Sequence, residues 1–220
     1  MVLKQREIMF VGDSEQADYP NFYGTHRNVC LAELRRQGYP CKSVGPHDDG
    51  ATAYPARLHR GNIGEQAFTV SNALSTFATE LTTYFTGTVG SRARPVVVMN
   101  WGVNDIGHPA ANKSAAQVYS YNALIAAQIF ASIPDVILIV RKLIKPGAGA
   151  VANYGTNNAV CDTYNAGLAT QAALWGAHGI SDPGAPELRA ADLIHPAETY
   201  LGYGAVGLAD AAAIVATGLL

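Results

Sequence analysis

Two segments of the sequence hold the side chains of a serine nucleophile and its base. Ser14 follows Gly12 and Asp13 directly after a short apolar run. A serine at such a strand-to-helix turn has an exposed hydroxyl beside a backbone N–H that can bind an anion. Asp192 precedes His195 by about one turn, where its carboxylate can accept the imidazole Nδ1–H and leave Nε2 facing the nucleophile. This combination is suited to acyl transfer.

Two further segments hold donors for the oxyanion that such a reaction forms. Gly64 ends a Gly-Asn-Ile-Gly stretch, and glycine lets a backbone N–H approach a ligand closely. Asn104 comes just after an apolar run, and Gly102 allows a turn that brings its side-chain amide to the same oxyanion. Taken alone, the Ser14 and Gly64 segments are more common as plain turns, so the prediction depends on the four segments occurring together.

Hydrophobic spacing predicts strands that alternate with helices. Strands are expected at residues 7–11, 41–44, 95–100 and 135–140, with a weaker one at 179–182. Helices are expected at 25–37, 71–85, 114–133, 158–177 and within 199–218, with Ser114 as a cap. This pattern favours a parallel sheet covered on both faces, in which functional residues gather beyond the carboxyl ends of the strands.

In this order, the four segments resemble the four signature blocks of the SGNH (GDSL-like) hydrolases. The resemblance extends from Gly12 to Tyr203 and so covers nearly the whole chain. It implies a three-layer α/β/α sandwich with a flavodoxin-like parallel sheet of about five strands. The length of 220 residues suits a single domain over residues 1–220.

The resemblance also implies a role for each residue of the site. Ser14 is the nucleophile, His195 the general base and Asp192 the partner that orients it. The backbone amides of Ser14 and Gly64, with the side chain of Asn104, form the oxyanion hole. No metal and no organic cofactor is implied. The Gly-x-Ser-x-Gly elbow of the α/β-hydrolases is absent from the sequence, which excludes the commonest other esterase fold on motif grounds.

The substrate expected from the sequence is a short-chain, acetyl ester, either a small molecule or a carbohydrate. Residues 59–64 are similar to the His-x-Gly-x-x-Gly stretch of small acetylxylan-esterase-like enzymes. Weaker candidates for substrate contact are Asp13, Glu15, Trp101 and His108. Buried packing is the commoner role for such a tryptophan, and an exposed loop position for such a histidine. The carboxylate of Glu15 at the mouth of the site disfavours long apolar acyl chains.

Two other functions stay open. One is a thioesterase or lysophospholipase of the same fold, and the other is a non-catalytic carbohydrate-binding module. The net charge of −2, without a basic run, argues against nucleic acid as a partner. No apolar stretch reaches the roughly 18 residues of a membrane span. Charged residues make up only 15%, which with the apolar residues 211–220 permits a homo-oligomer.

The compartment and the cysteine chemistry are not decided by the sequence. The N-terminal residues contain no apolar core long enough for a signal peptide, which is compatible with a cytoplasmic protein or with a secreted one whose signal was removed. Cys30, Cys41 and Cys161 fit no metal pattern. Three buried thiols are expected, and a disulfide between Cys30 and Cys41 is the alternative in an oxidising compartment.

Overall fold

In a computed structural model of the chain, five parallel strands form one sheet among the described residues. The structure describes residues 5–12, 26–44, 81–83, 85, 93–107, 112–150, 157–188, 190–191, 193–197 and 199–220. The strands are β1 (Arg6–Gly12), β2 (Cys41–Ser43), β3 (Val96–Asn100), β4 (Ile137–Arg141) and β5 (Gly179–Ser181). Their order across the sheet is β2-β1-β3-β4-β5.

The strand order creates a switch point at β1. The chain passes from β1 outward to β2 and then returns to the other side of β1 to form β3. Gly12 is in register with Asn100, so β1 and β3 end level with each other. In open parallel sheets, ligands bind in the crevice at such a reversal, beyond the carboxyl ends of the strands. The predicted flavodoxin-like sheet is therefore confirmed.

Five α-helices with described bounds and one kinked turn accompany these strands in the described part of the chain. They are α1 (His26–Arg36), α2 (Val103–Gly107), α3 (Ala115–Ser132), α4 (Asn158–Leu174), the turn Tyr200–Gly204 and α5 (Ala205–Ala216). The predicted cap at Ser114 is confirmed, and Gln117 completes a capping box with it. Gly38 and Gly176, both at positive φ, follow the last turns of α1 and α4.

Two predicted boundaries differ from the structure by more than one residue. α4 ends before residue 177 because Gly176 N donates to Ala173 O (3.1 Å), which closes the helix. β4 begins later than residue 135 because Val136 N donates to Ile133 O (3.1 Å) in a turn. The last α-helix begins at Ala205, after a kinked turn, and so lies within the predicted residues 199–218. Of the helix predicted at 71–85, residues 81–83 are helical, and most of the remainder lies outside the described residues.

Helices cover both faces of the sheet and make three layers. Successive side chains of a strand point to opposite faces, so each strand contributes to two cores. One core contains α3 and α4 together with Met9, Val11, Val97, Met99, Leu138 and Val140. The other contains α1 and α5 together with Ile8, Phe10, Val96, Val98, Ile137 and Ile139. This is the α/β/α sandwich predicted from the resemblance.

The cysteines are buried thiols. None of Cys30, Cys41 and Cys161 is in a disulfide. Burial raises the pKa of the Cys30 and Cys41 thiols, so both stay protonated and unreactive at neutral pH.

Two properties of the described residues have a bearing on function. None of their helices has both the length and the apolar character that crossing a bilayer requires. They also contain no cluster of three or more His, Cys, Asp or Glu side chains suited to a metal ion.

Candidate active site

Asn104 is placed beyond β3 by a turn that requires glycine. Gly102 has φ +136, and a Cβ there would lie 2.7 Å from Val118 Cγ1. Ile106 N donates to Gly102 O (3.0 Å), so α2 begins almost as soon as β3 ends. Asn104 therefore lies in the first turn of α2, beyond the edge of the sheet at which β1 also ends.

A buried asparagine of α3 fixes the backbone ahead of this turn. Asn122 Nδ2 donates to Trp101 O (3.1 Å) and to Tyr164 Oη (2.8 Å), so both amide hydrogens have protein acceptors. Burial raises the pKa of Tyr164, which keeps its hydroxyl neutral. The sequence reasoning missed Asn122. The available signal was a polar residue on the apolar face that Val118 and Ile125 define at helical spacing.

The far end of α2 is braced against α4. Asn157 Nδ2, at the start of α4, donates to Ile106 O (2.8 Å). Lys113 N donates to Asp105 O (2.8 Å), which brings the chain back from the loop after α2. Burial raises the pKa of the Asp105 carboxyl, while the nearby charge of Lys113 opposes that shift. α2, which carries Asn104, is thus fixed at both ends.

His195 is buried on a turn whose backbone is fixed on both sides. It is 3% exposed. Before it, Leu193 adopts a left-handed conformation (φ +56), and Gly147 N donates to Leu193 O (2.7 Å). After it, Pro196 pairs with Leu188 in an antiparallel bridge. A non-glycine residue in this conformation is strained, and such strain occurs most often where function requires a fixed geometry.

The segment after the histidine folds back on itself. Ala197 N donates to Glu187 O (2.7 Å), and Ala197 O accepts from Tyr203 N (2.9 Å). Glu187 N donates to Leu201 O (2.9 Å). Gly202 fits there only as glycine, because a Cβ would lie 2.1 Å from Ala197 O. These bonds hold the histidine turn and the kinked turn at residues 200–204 together as one rigid unit.

A cluster of rings links this unit to the start of α1 and to β1. Tyr203 is buried and stacks on His26, with ring centroids 5.9 Å apart. His26 in turn contacts Phe10 edge to face, at 5.5 Å. The segment that carries the histidine therefore packs beside the strand after which the predicted nucleophile follows.

A buried ion pair anchors α5 at the carboxyl edge of the sheet. Arg141, at the end of β4, donates to Asp210 through Nε (3.1 Å) and Nη2 (3.0 Å). Ser181, at the end of β5, donates to the same carboxylate (2.6 Å). Arg141 and Asp210 have no exposed side-chain surface. Since α5 follows the histidine unit directly, this pair also fixes where that unit lies.

Comparison with solved structures shows what this arrangement resembles. A family 3 carbohydrate esterase from Talaromyces cellulolyticus is 14% identical, with a TM-score of 0.67, and the match covers 96% of this chain and 97% of that one. A member of the lipolytic G-D-S-L family from Veillonella parvula is 16% identical (TM-score 0.59; 93% and 95% covered). A carbohydrate acetylesterase from Sinorhizobium meliloti is 12% identical (TM-score 0.63; 98% and 100% covered). This chain has the fold of the GDSL-type esterases.

At these identities the likeness to GDSL-type esterases is one of fold. Comparisons with protein-family models and with curated proteins found no match.

Among the predicted site residues, the structure describes three. Asn104 lies in α2, directly after the carboxyl end of β3, and His195 lies on the buried turn that Gly147, just after β4, holds through Leu193. Trp101 is 9% exposed and packs in the core between the sheet and α3, which favours its packing role over substrate contact. The other predicted residues, Asp13, Ser14, Glu15, Gly64, His108 and Asp192, lie outside the described residues. The distances within the triad and the oxyanion hole therefore stay predictions.

Proposed function

We propose that the protein is a serine esterase that hydrolyses acetyl and other short-chain esters, with O-acetyl groups on carbohydrate as its natural substrate. The observation that carries this proposal is the buried His195 on a turn fixed beyond the carboxyl edge of a GDSL-type fold. A surface histidine of no function needs neither the left-handed Leu193 before it nor the closed backbone after it. A base that must stay in place through two proton transfers needs both.

The proposed mechanism is acyl transfer in two steps. Ser14 Oγ attacks the ester carbonyl carbon while His195 Nε2 takes its proton, and Asp192 holds the imidazole at Nδ1. The oxyanion accepts hydrogen bonds from the amides of Ser14 and Gly64 and from the side chain of Asn104. His195 then protonates the leaving alcohol. Water, deprotonated by the same histidine, attacks the acyl-enzyme and releases the carboxylic acid and Ser14.

The acetyl preference and the carbohydrate substrate have weaker support. The motif at residues 59–64 is similar to that of small carbohydrate acetyl esterases, and two of the structural neighbours are named as carbohydrate esterases. These observations favour a short acyl group over the long chains of lysophospholipids.

The test is hydrolysis of p-nitrophenyl acetate, butyrate and octanoate, together with acetate release from acetylated xylan. We expect the rate to fall with acyl length. We expect Ser14→Ala to lower kcat by at least about a thousandfold and Asn104→Ala by about a hundredfold to a thousandfold. Ser120→Ala is the matched control, because Ser120 lies exposed on α3 and bonds only its own helix at Ala116 O.

Each other outcome contradicts a named part of the proposal. Activity retained in Ser14→Ala excludes the serine mechanism. Preference for octanoate favours the thioesterase or lysophospholipase alternative. Sugar binding without cleavage of any of these esters favours the binding module.

A further inference from the structure

Two consecutive large apolar side chains are exposed on the turn that follows His195. Tyr200 is 72% exposed and Leu201 is 65% exposed. Single exposed apolar residues are ordinary on a protein surface. The other exposed large apolar side chains of the described residues stand alone in sequence: Leu124, Leu174 and Leu219. An adjacent pair that follows a candidate catalytic base by five residues therefore needs a specific explanation.

The turn that carries this pair is held in place. Thr199 Oγ1 accepts from Gly202 N (3.0 Å) and donates to Glu187 Oε2 (2.6 Å). Gly204 N donates to Thr199 O (3.0 Å). The backbone of this turn kinks at Gly202 (φ −91, ψ −107). The exposure of Tyr200 and Leu201 is thus a property of a fixed turn.

The backbone of Glu187 ties this turn to the histidine. Glu187 accepts from Ala197 N and donates to Leu201 O, so one residue holds both the segment after His195 and the exposed pair. Any movement of the pair relative to the base would break one of these bonds. A ligand that lies against the pair is therefore held at a defined place relative to the backbone of the histidine turn.

The role of His195 as base indicates which part of the substrate lies next to it. His195 delivers its proton to the leaving alcohol, so the alcohol departs from beside the imidazole. The oxyanion donor Asn104 lies on a different element, α2. Groups next to His195 therefore line the alcohol side of an ester, and the acyl side is lined from elsewhere.

We propose that Tyr200 and Leu201 form a subsite for the alcohol part of the ester, and that this alcohol is a sugar ring. The inference rests on the proposed function and deepens it. A sugar ring has an apolar face that stacks on an aromatic side chain, and hydroxyl groups at its rim. The exposed carboxylate of Glu187, bonded to Thr199 at the foot of this turn, is an acceptor for such hydroxyl groups.

The area of the patch also favours a small ligand over a second copy of the chain. A specific protein–protein interface buries about 800 Å² on each partner. Two apolar side chains supply less than about 500 Å² even when fully exposed. The pair is therefore large enough for one ring and too small, by itself, for a stable dimer.

The experiment compares two acetates that differ only in the alcohol: an O-acetylated methyl xylopyranoside and ethyl acetate. The quantity is the ratio of kcat/KM for the sugar ester to kcat/KM for ethyl acetate. We expect Tyr200→Ala to lower this ratio about 3- to 10-fold, the usual worth of one aromatic contact. Tyr200→Phe, which keeps the ring, should retain most of it. Leu174→Ala is the control, since Leu174 is 75% exposed at the end of α4, next to the amino edge of the sheet.

The alternative outcomes are distinct. An unchanged ratio in Tyr200→Ala overturns the subsite. If hydrolysis still depends on Ser14 in that case, the proposed function is unaffected. An equal loss on both esters identifies a purely structural role and also overturns it. A shift in the oligomeric state of Tyr200→Ala, measured by light scattering, with the ratio unchanged assigns the pair to a protein interface. If the wild-type chain cleaves neither ester, the proposed function fails first and the subsite with it.

Discussion

Replacing Asp210 by asparagine is expected to destabilise the protein far more than replacing Asp182. Asp210 accepts two hydrogen bonds from Arg141 and one from Ser181, and both members of the ion pair have no exposed side-chain surface. Asparagine keeps the shape of the side chain and loses its charge. The guanidinium then stays buried without its counter-charge, which costs about 3–5 kcal/mol. Since domains of ordinary size are stable by about 5–15 kcal/mol, this is a large share of the total.

Asp182 provides the matched control. It forms an ion pair with Lys142, immediately after the ends of the same two strands, but the two side chains are 50% and 32% exposed. Exposed pairs of this kind contribute about 0–1 kcal/mol. Ser181→Ala should lie between the two, since it removes one hydrogen bond to a charged group, worth about 1.5–3 kcal/mol.

The assay is urea unfolding of the three variants and the wild type at neutral pH, followed by circular dichroism. The expected order of the free energy lost is Asp210→Asn, then Ser181→Ala, then Asp182→Asn. A loss in Asp210→Asn no greater than that in Asp182→Asn would refute the reasoning, because it would mean that the buried guanidinium is satisfied without the carboxylate.

Two further predictions concern the histidine turn and the opposite edge of the sheet. Gly202→Ala should lower kcat/KM on p-nitrophenyl acetate by about a hundredfold, since the new Cβ displaces Ala197 and misplaces the base by about 1 Å. Gly184→Ala is the control. An alanine there is strained by the φ of +67, but its Cβ would meet no atom within 4 Å, so we expect the activity to be kept. Equal losses of activity in the two variants would contradict a specific effect of Gly202. Burial lowers the pKa of His178, as does the nearby Arg94, while its Nδ1 accepts from Leu138 N (3.2 Å). The unfolded chain therefore takes up the proton first, near pH 6.5, and stability should fall as the pH drops from 7.5 to 5. Urea unfolding at both pH values should show a smaller fall for His178→Asn, and an equal fall would exclude this origin.

Local sequence signals were enough for most of the fold. The apolar run at 96–99 predicts a strand, and the glycine at 38 marks the end of α1 by its conformational freedom. At the end of β4, the difference between prediction and structure comes from a contact distant in sequence. β4 includes Arg141, a charged residue, because Asp210 neutralises it from α5 across 69 positions. No periodicity in either segment reveals that pairing.

The candidate site likewise has residues that local sequence signals indicate and supporting contacts that they do not. The residue types and the spacing of Asn104 and His195 could be recognised in the sequence, because acyl transfer requires an oxyanion donor and a base in any fold. The hydrogen bonds that hold these two residues in place could not be predicted. Gly147 and Glu187 act through backbone groups and Asn122 through a buried amide, and few sequence patterns mark such contacts. Asn122 was the exception, since its polar side chain interrupts an apolar helix face.

The turn around His195 obtains its rigidity from backbone bonds rather than from regular secondary structure. Gly147, Glu187 and Tyr203 each bond to a different point of the segment from 193 to 201, and they come from three separate parts of the chain. A loop held in this way can change the side chains that it presents without losing the position of its backbone. Tyr200 and Leu201 lie at such positions, because their backbone is fixed while their side chains extend outward. Substrate choice on the alcohol side can therefore vary at these two residues while the base stays where the chemistry needs it.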